Sequence, residues 1–218
     1  MQINTAIIQN CLNIFLSQGL KVSMDSVANE LGMSKRTLYE LFDNKTGLVY
    51  QCVSFFVEQE NDKMDHYLAG ENISVFEKLF PILNVDIFNR VKDYHRFSLE
   101  IKRFYPDIFE KIIATHIESY RTRIGNTIIK GIQEGVFRSD INVEIVKMFF
   151  FDLLMLSRFC KEDYQHYSIA EVLDNTLFCF VRGIATPKGL QTINTLTEKE
   201  VYRFLKTNLK NINKNETI

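Results

Sequence analysis

A chain of 218 residues with 46% hydrophobic content suits one large or two small domains and can bury a sizeable core. Three prolines and nine glycines, set among long Ile/Leu/Phe-rich runs with helical spacing, favour an all-α fold over a sheet-built one. With 26 Lys+Arg against 27 Asp+Glu, overall charge gives no reason to expect a nucleic-acid partner, so any such reading must rest on where the cations sit.

The spacing predicts a first helix over about 4–18, with Ile7/Ile8, Cys11/Leu12 and Phe15/Leu16 on its inner side and Gly19 ending it. Nothing before it pairs a basic region with an apolar run, so a signal peptide is not expected and a cytoplasmic protein is. Residues 23–45 then encode two short helices joined by a tight turn, with a further helix starting behind them. Ser23 is placed to cap the first, and Asp25 sets a negative charge where the helix dipole favours one. Val27, Ala28 and Leu31 share a face, and Gly32 supplies the left-handed residue that ends a helix. Ser34 caps again; Leu38, Leu41 and Phe42 turn inward, leaving Lys35, Arg36, Thr37, Tyr39 and Glu40 outward. This is a helix-turn-helix whose second helix is presented, as DNA-reading helices are. Within residues 1–48 the cations Lys21, Lys35, Arg36 and Lys45 are balanced by Asp25, Glu30, Glu40 and Asp43, yet three of the four cations lie on or just after the presented helix.

The same residues carry a family resemblance. Val27-Ala28, Gly32-Met33-Ser34-Lys35, Thr37-Leu38-Tyr39, Phe42 and Lys45, with Phe15 and Gly19 before them, resemble the N-terminal signature of the tetracycline-repressor (TetR) family of transcriptional regulators. The match is specific over residues 5–50, and beyond them only the architecture is similar. Gly131-Ile-Gln-Glu-Gly-Val-Phe137 looks like the family's link between two long C-terminal helices. Arg36 stands where many relatives have a small residue, which bears on the DNA sequence read. The resemblance implies phosphate contacts from Lys35, Thr37, Tyr39 and Lys45, with Ser23 and Ser34 adding amide or hydroxyl contacts. Arg36 is the candidate for a base edge, since its fork matches guanine O6 and N7.

Onward, a helix is expected from Asn44 or Lys45 to about Leu68, apolar enough in its first half to be buried on more than one side, with an exit at Gly70 and Asn72. Ser74 to about Lys92 reads as helical with a break at Pro81. A short helix from Asp93 to about Arg103 follows, then a long one opened by Pro106 and stopped by Gly135. Val143 to Cys160 is apolar almost all round; it is short for a membrane span and has Asp152 in its middle, so burial by protein is expected and a membrane is not. A helix from Ser168 to about Arg182 has the same character, Pro187 to Asn194 reads as a linker, and a last helix begins at Thr197 with a Thr197–Glu200 capping box and frays after Asn211. The excess apolar surface of 143–184 predicts a homodimer in which Phe149, Phe150, Leu153, Leu154, Leu177 and Val181 meet a second copy across a helix bundle.

No catalytic constellation, phosphate loop or metal-ligand cluster is present, so an enzyme, a cofactor and a metal are not expected. Cys11, Cys52, Cys160 and Cys179 are scattered and read as small buried core residues, a redox-sensing thiol being the alternative. His116 lies one turn before Tyr120 on the apolar stripe of the long helix. Either these are two satisfied core residues or their polar tips face a cavity. With Phe97, Ile101, Phe104 and Phe151, and with Arg103 and Tyr105 nearby, they would then line an apolar, aromatic pocket, where the resemblance implies an effector. The expectation is therefore a helix-turn-helix DNA-binding domain over 1–47 and a larger helical effector-binding and dimerisation domain over 48–218. The implied protein is a regulator that binds a palindromic double-stranded DNA operator, most often as a repressor, released by a small, largely apolar or aromatic effector. The alternatives are a DNA-binding protein without such an effector, controlled by a protein partner or acting architecturally, and a helical enzyme or lipid binder that keeps the motif as a relic.

Overall fold

The structure, a computed structural model, describes residues 5–68, 73–79, 96–159, 171 and 174–198. The expected features at Gly70, Asn72, Pro81, Cys160, Ser168, Glu200 and Asn211 lie outside the described residues. Among the described residues the regular elements are helices, with one isolated bridge between Phe137 and Ala185. The described parts of Met1–Gly70 and Arg90–Glu118 form one compact unit, and those of Glu71–Asn89 and Ser119–Ile218 form another. The first of these units takes in Lys45–Leu68 and residues 96–118 together with the helix-turn-helix.

In the first unit, α1 (Thr5–Gln18) buries Cys11, Leu12, Ile14 and Phe15, one face of a 3.6-residue period. Helices α2 (Met24–Glu30) and α3 (Lys35–Phe42) follow, then α4 (Lys45–Leu68). Asn44 opens α4 by accepting the Gly47 amide on its side-chain oxygen at 2.9 Å. Leu48, Val49, Cys52, Val53 and Phe56 of α4 are all buried, which is the two-sided burial its composition predicts. Each large side chain so removed from water contributes about 1.5–3 kcal/mol before chain entropy is counted. Residues 96–104 form α6, which adds Phe97 and Ile101 to the same core.

Pro106 opens the long helix α7 at its first position, where its missing amide costs little. After Pro106–Ile108 the chain winds as a π-helix over Phe109–Ala114 and returns to an α-helix over Thr115–Gln133. The sequence gives no sign of the wide turn. Its physical consequence is that Ile108 and Ile113, five apart, are both buried, a spacing an ordinary α-turn would splay across two faces.

In the second unit, the short α5 (Val75–Leu79) begins with a reciprocal cap. Glu77 accepts the Ser74 amide at 2.9 Å, and Ser74 accepts the Glu77 amide at 3.2 Å. The C-terminal part of α7 buries Ile124 and Ile128 and stops at Gly135, as expected. Helix α8 (Val143–Phe159) buries Val146, Phe150, Phe151 and Leu153, and Asp152 in its middle lies 4.0 Å from Arg121. No helix among the described residues is long and apolar enough to cross a membrane.

Three expectations are corrected here. The helix expected from Ser168 to Arg182 is interrupted at Thr176, whose φ of −120° and ψ of −80° leave the helical region; α9 starts at Leu177 and ends at Ile184. The expected linker Pro187–Asn194 is instead inside a helix, α10 (Pro187–Glu198). Thr186 caps it by accepting the Gly189 amide at 3.1 Å, and Pro187 sits at the first position, where proline starts helices rather than breaking them. Thr197 therefore lies in the last turn of α10 and opens no new helix. Third, Cys179 is exposed, whereas Cys11 and Cys52 are buried as expected.

Candidate nucleic-acid interface

Both helices of the motif are closed at each end by local hydrogen bonds. Ser23 Oγ accepts the Ser26 amide at 3.1 Å, and Ser34 Oγ accepts the Thr37 amide at 3.0 Å. Each serine also hydrogen-bonds the hydroxyl three residues on, Ser26 at 2.8 Å and Thr37 at 2.7 Å. The three hydroxyls expected on phosphate (Ser23, Ser34 and Thr37) are thus engaged in holding the helix starts. At the end of α2, Gly32 has φ +65° and a Cβ there would meet nothing within 4 Å, so the position asks for glycine on backbone grounds alone.

Leu38 and Phe42 anchor α3 in the core, which fixes the opposite face outward. Lys35, Arg36 and Tyr39 are exposed on that face. The two cations already have acidic companions. Lys35 Nζ stands 2.8 Å from Asp25 of α2 and 5.9 Å from the centre of the Tyr39 ring. Asp25 raises the Lys35 pKa, so the ammonium stays charged. Arg36 Nε lies 2.8 Å from Glu40, one turn along α3, with Arg36 88% exposed. Exposed pairs of this kind are worth about 0.2–1 kcal/mol, less than the ~1–3 kcal/mol of a two-pronged arginine–guanine contact. DNA can therefore take Arg36 from Glu40 at a net gain.

Lys45 is placed differently. It opens α4, where the positive end of the helix dipole opposes a cation, and burial lowers its pKa. It has no ion-pair companion among the described residues. A phosphate at this helix start would offset both costs. The sequence reading missed Asp25 and Glu40 as companions of the reading cations; the four-residue spacing of Arg36 and Glu40 was the available signal.

The expected pocket residues divide between the units. Phe97 and Ile101 are packed in the core of the first, with Phe97 edge-on to Phe56 at 5.6 Å. Phe104 is 38% exposed, with Lys21 at 5.7 Å and Arg103 at 5.3 Å from its ring centre. His116 is half-buried in the first unit, as is Tyr105, whose pKa burial raises. Tyr120 and Phe151 belong to the second, their rings 6.0 Å apart, and Arg121 stacks on Phe151 at 4.7 Å.

The expected interface set also changes. Phe150 and Leu153 of α8 and Leu177 and Val181 of α9 are buried within the chain itself, where the two helices pack against each other. The side chain of Leu154 lies outside the described residues. Phe149 is exposed and tilts against Phe180 at 5.2 Å, and Ile145 and Met148 beside it are exposed too. Among the described side chains of α8, the expected Phe149 thus remains on an exposed apolar surface together with Ile145 and Met148.

Residues 7–52 match the model of a family described as bacterial regulatory proteins, tetR family. The uncharacterized HTH-type transcriptional regulator YvaF of Bacillus subtilis is 30% identical over 100 residues, 41% of this chain, and the match spans about half (52%) of that protein. Among solved structures, a TetR-family regulator of Cytophaga hutchinsonii aligns with a TM-score of 0.67 at 18% identity, over 85% of this chain and 99% of its own. FadR of Bacillus subtilis, in complex with stearoyl-CoA, aligns with a TM-score of 0.64 at 19% identity, over 82% and 97%. A Saccharomonospora viridis protein in complex with choline aligns with a TM-score of 0.67 at 17% identity, over 83% and 96%. At these identities the structures speak for the fold alone.

Proposed function

We propose that this chain, which belongs to the tetR family of bacterial regulatory proteins, is a sequence-specific DNA-binding transcriptional regulator, a repressor that leaves its operator when a small, largely apolar or aromatic ligand binds. The observation that carries it is α3, capped by Ser34, anchored by Leu38 and Phe42, and showing Lys35, Arg36 and Tyr39 to solvent. Arg36 reads a base edge, and Lys35, Tyr39 and Lys45 hold phosphates. Residues 1–47 are the reading head, and the rest of the chain carries effector binding and dimerisation.

A second copy sets the spacing of two reading heads, which must lie about one turn of DNA apart to enter successive major grooves. The exposed Ile145, Met148 and Phe149 of α8 supply the apolar surface for that pairing. Neighbours of the same fold hold stearoyl-CoA and choline, which supports a small-molecule effector here.

The test is selection of bound duplexes from random DNA by the full chain, repeated across a metabolite panel. Enrichment of a palindrome that one class of metabolite abolishes is the expected result. Enrichment that no metabolite alters favours control by a protein partner, and no enrichment at all refutes the regulator. Sedimentation at micromolar concentration tests the pairing: a dimer is expected, and Phe149→Glu should shift it to monomer.

A further inference from the structure

We propose that Glu100 is a positioning residue for DNA reading: its carboxylate latches the turn between α1 and α2, so that the aim of the reading helices depends on α6. The inference rests on the DNA-binding reading above and adds the residue that sets the head.

Glu100 reaches a backbone 80 residues away. Its Oε2 accepts the Leu20 amide at 2.6 Å, and both its oxygens lie 3.1 Å from where a Cβ on Gly19 would stand. Gly19 has φ +82°, a backbone conformation that favours glycine, and a side chain there would press on the carboxylate. One helical turn further along α6, Phe104 lies 5.7 Å under the Lys21 ammonium. Three successive turn residues therefore meet α6, while Leu20 and Ile101 join the same buried core beneath.

The placement is costly in isolation. A carboxylate beside the last turn of α1 faces the negative end of that helix's dipole, and it is held there by a short hydrogen bond to a charged acceptor. The position of the turn matters because the chain enters α2 through it, and Met24, Val27 and Ala28 seat α2 on the same core as Leu20 and Ile101. Two backbone turns bound the α2–α3 pair. One is this turn at residues 19–23; the other is at Asp43, where φ is +56°. α3 contacts both α2 and α4, so a shift of the first turn moves the start of α2, and with it the Asp25 that steadies Lys35.

The experiment uses the full chain with Glu100→Ala, Glu100→Gln and Glu100→Asp. Two quantities are read: the Leu20 amide proton by NMR, as shift and exchange rate, and affinity for the duplex that the wild type enriches, beside a scrambled duplex. In Glu100→Ala the Leu20 amide should lose its downfield shift and exchange faster. Affinity for the enriched duplex should fall about ten-fold, the size of one lost hydrogen bond to a charged group, with the scrambled duplex unchanged. Gln keeps an acceptor and should restore most of the affinity. Asp keeps the charge but falls short by one methylene and should behave as Ala does, which decides the matter even where Glu100→Ala does not fold. An unaltered Leu20 amide overturns the latch. An altered amide with undiminished affinity makes the contact structural only and overturns the positioning role. A wild type with the shifted Leu20 amide that enriches no duplex refutes the regulator reading, and the role of Glu100 with it.

Discussion

At the end of α2 the Met33 amide donates to the Ala28 carbonyl at 3.0 Å and the Gly32 amide to Asn29 at 3.1 Å. At the end of α7 the Val136 amide donates to Gly131 at 2.9 Å and the Gly135 amide to Ile132 at 3.0 Å. The two stops are the same paired-bond motif, yet the chain leaves them for opposite destinations. After Gly32 come Ser34, Lys35 and Arg36, all exposed. After Gly135 come Val136 and Phe137, buried, with Phe137 edge-on to Phe76 at 5.0 Å and bridged to Ala185. A glycine stop says only where a helix ends. The polarity of the next residues decides whether the exit is displayed or packed.

The contrast is broken most severely at the packed exit. Phe137→Ala should lower unfolding free energy by about 3–5 kcal/mol, because a fully buried ring leaves a cavity against Phe76 and Gly131. Urea denaturation measures it, and a loss below about 1 kcal/mol would mean that the ring does not hold this exit. At the displayed exit stability should hardly change and binding should. Arg36→Ala is expected to cost about 1–3 kcal/mol on the enriched duplex and little on a scrambled one. Lys45→Ala should weaken both alike, as loss of a phosphate contact does. Equal losses from Arg36→Ala on the two duplexes would remove its base-reading role.

Ser34→Ala sharpens the comparison further. It removes the cap on α3 and should cost about 1 kcal/mol of stability, with DNA affinity falling on all sequences because the reading helix frays. The smallest effect is expected from Glu40→Gln, which releases Arg36 from its exposed companion. Affinity should rise by less than about 1 kcal/mol; a fall would show that Glu40 itself contacts the DNA.

The displayed region was legible because its signals are local. Ser23 and Ser34 before their helices, Gly32 after the first, and the Leu38–Phe42 stripe each act within a few residues, and each stands where its spacing places it. Helix α4 (Lys45–Leu68) and the Pro106 start are legible for the same reason. The misreadings share another cause. Pro187 reads locally as part of a linker, whereas Thr186 caps it into a helix whose Ile193 is buried. Composition shows how apolar a helix is, and only packing shows that Phe150, Leu153, Leu177 and Val181 are covered within the chain.

By itself, then, the sequence determined the all-helical class, the position of the helix-turn-helix and which face of α3 is displayed, since periodicity and capping act over three or four residues. The tertiary structure alone decided that residues 96–118 pack with the head, that Asp25 and Glu40 accompany the reading cations, and that Glu100 meets the Leu20 amide. Those outcomes depend on contacts between residues as much as 80 positions apart, and no local pattern fixes which distant side chain will satisfy a turn's amide.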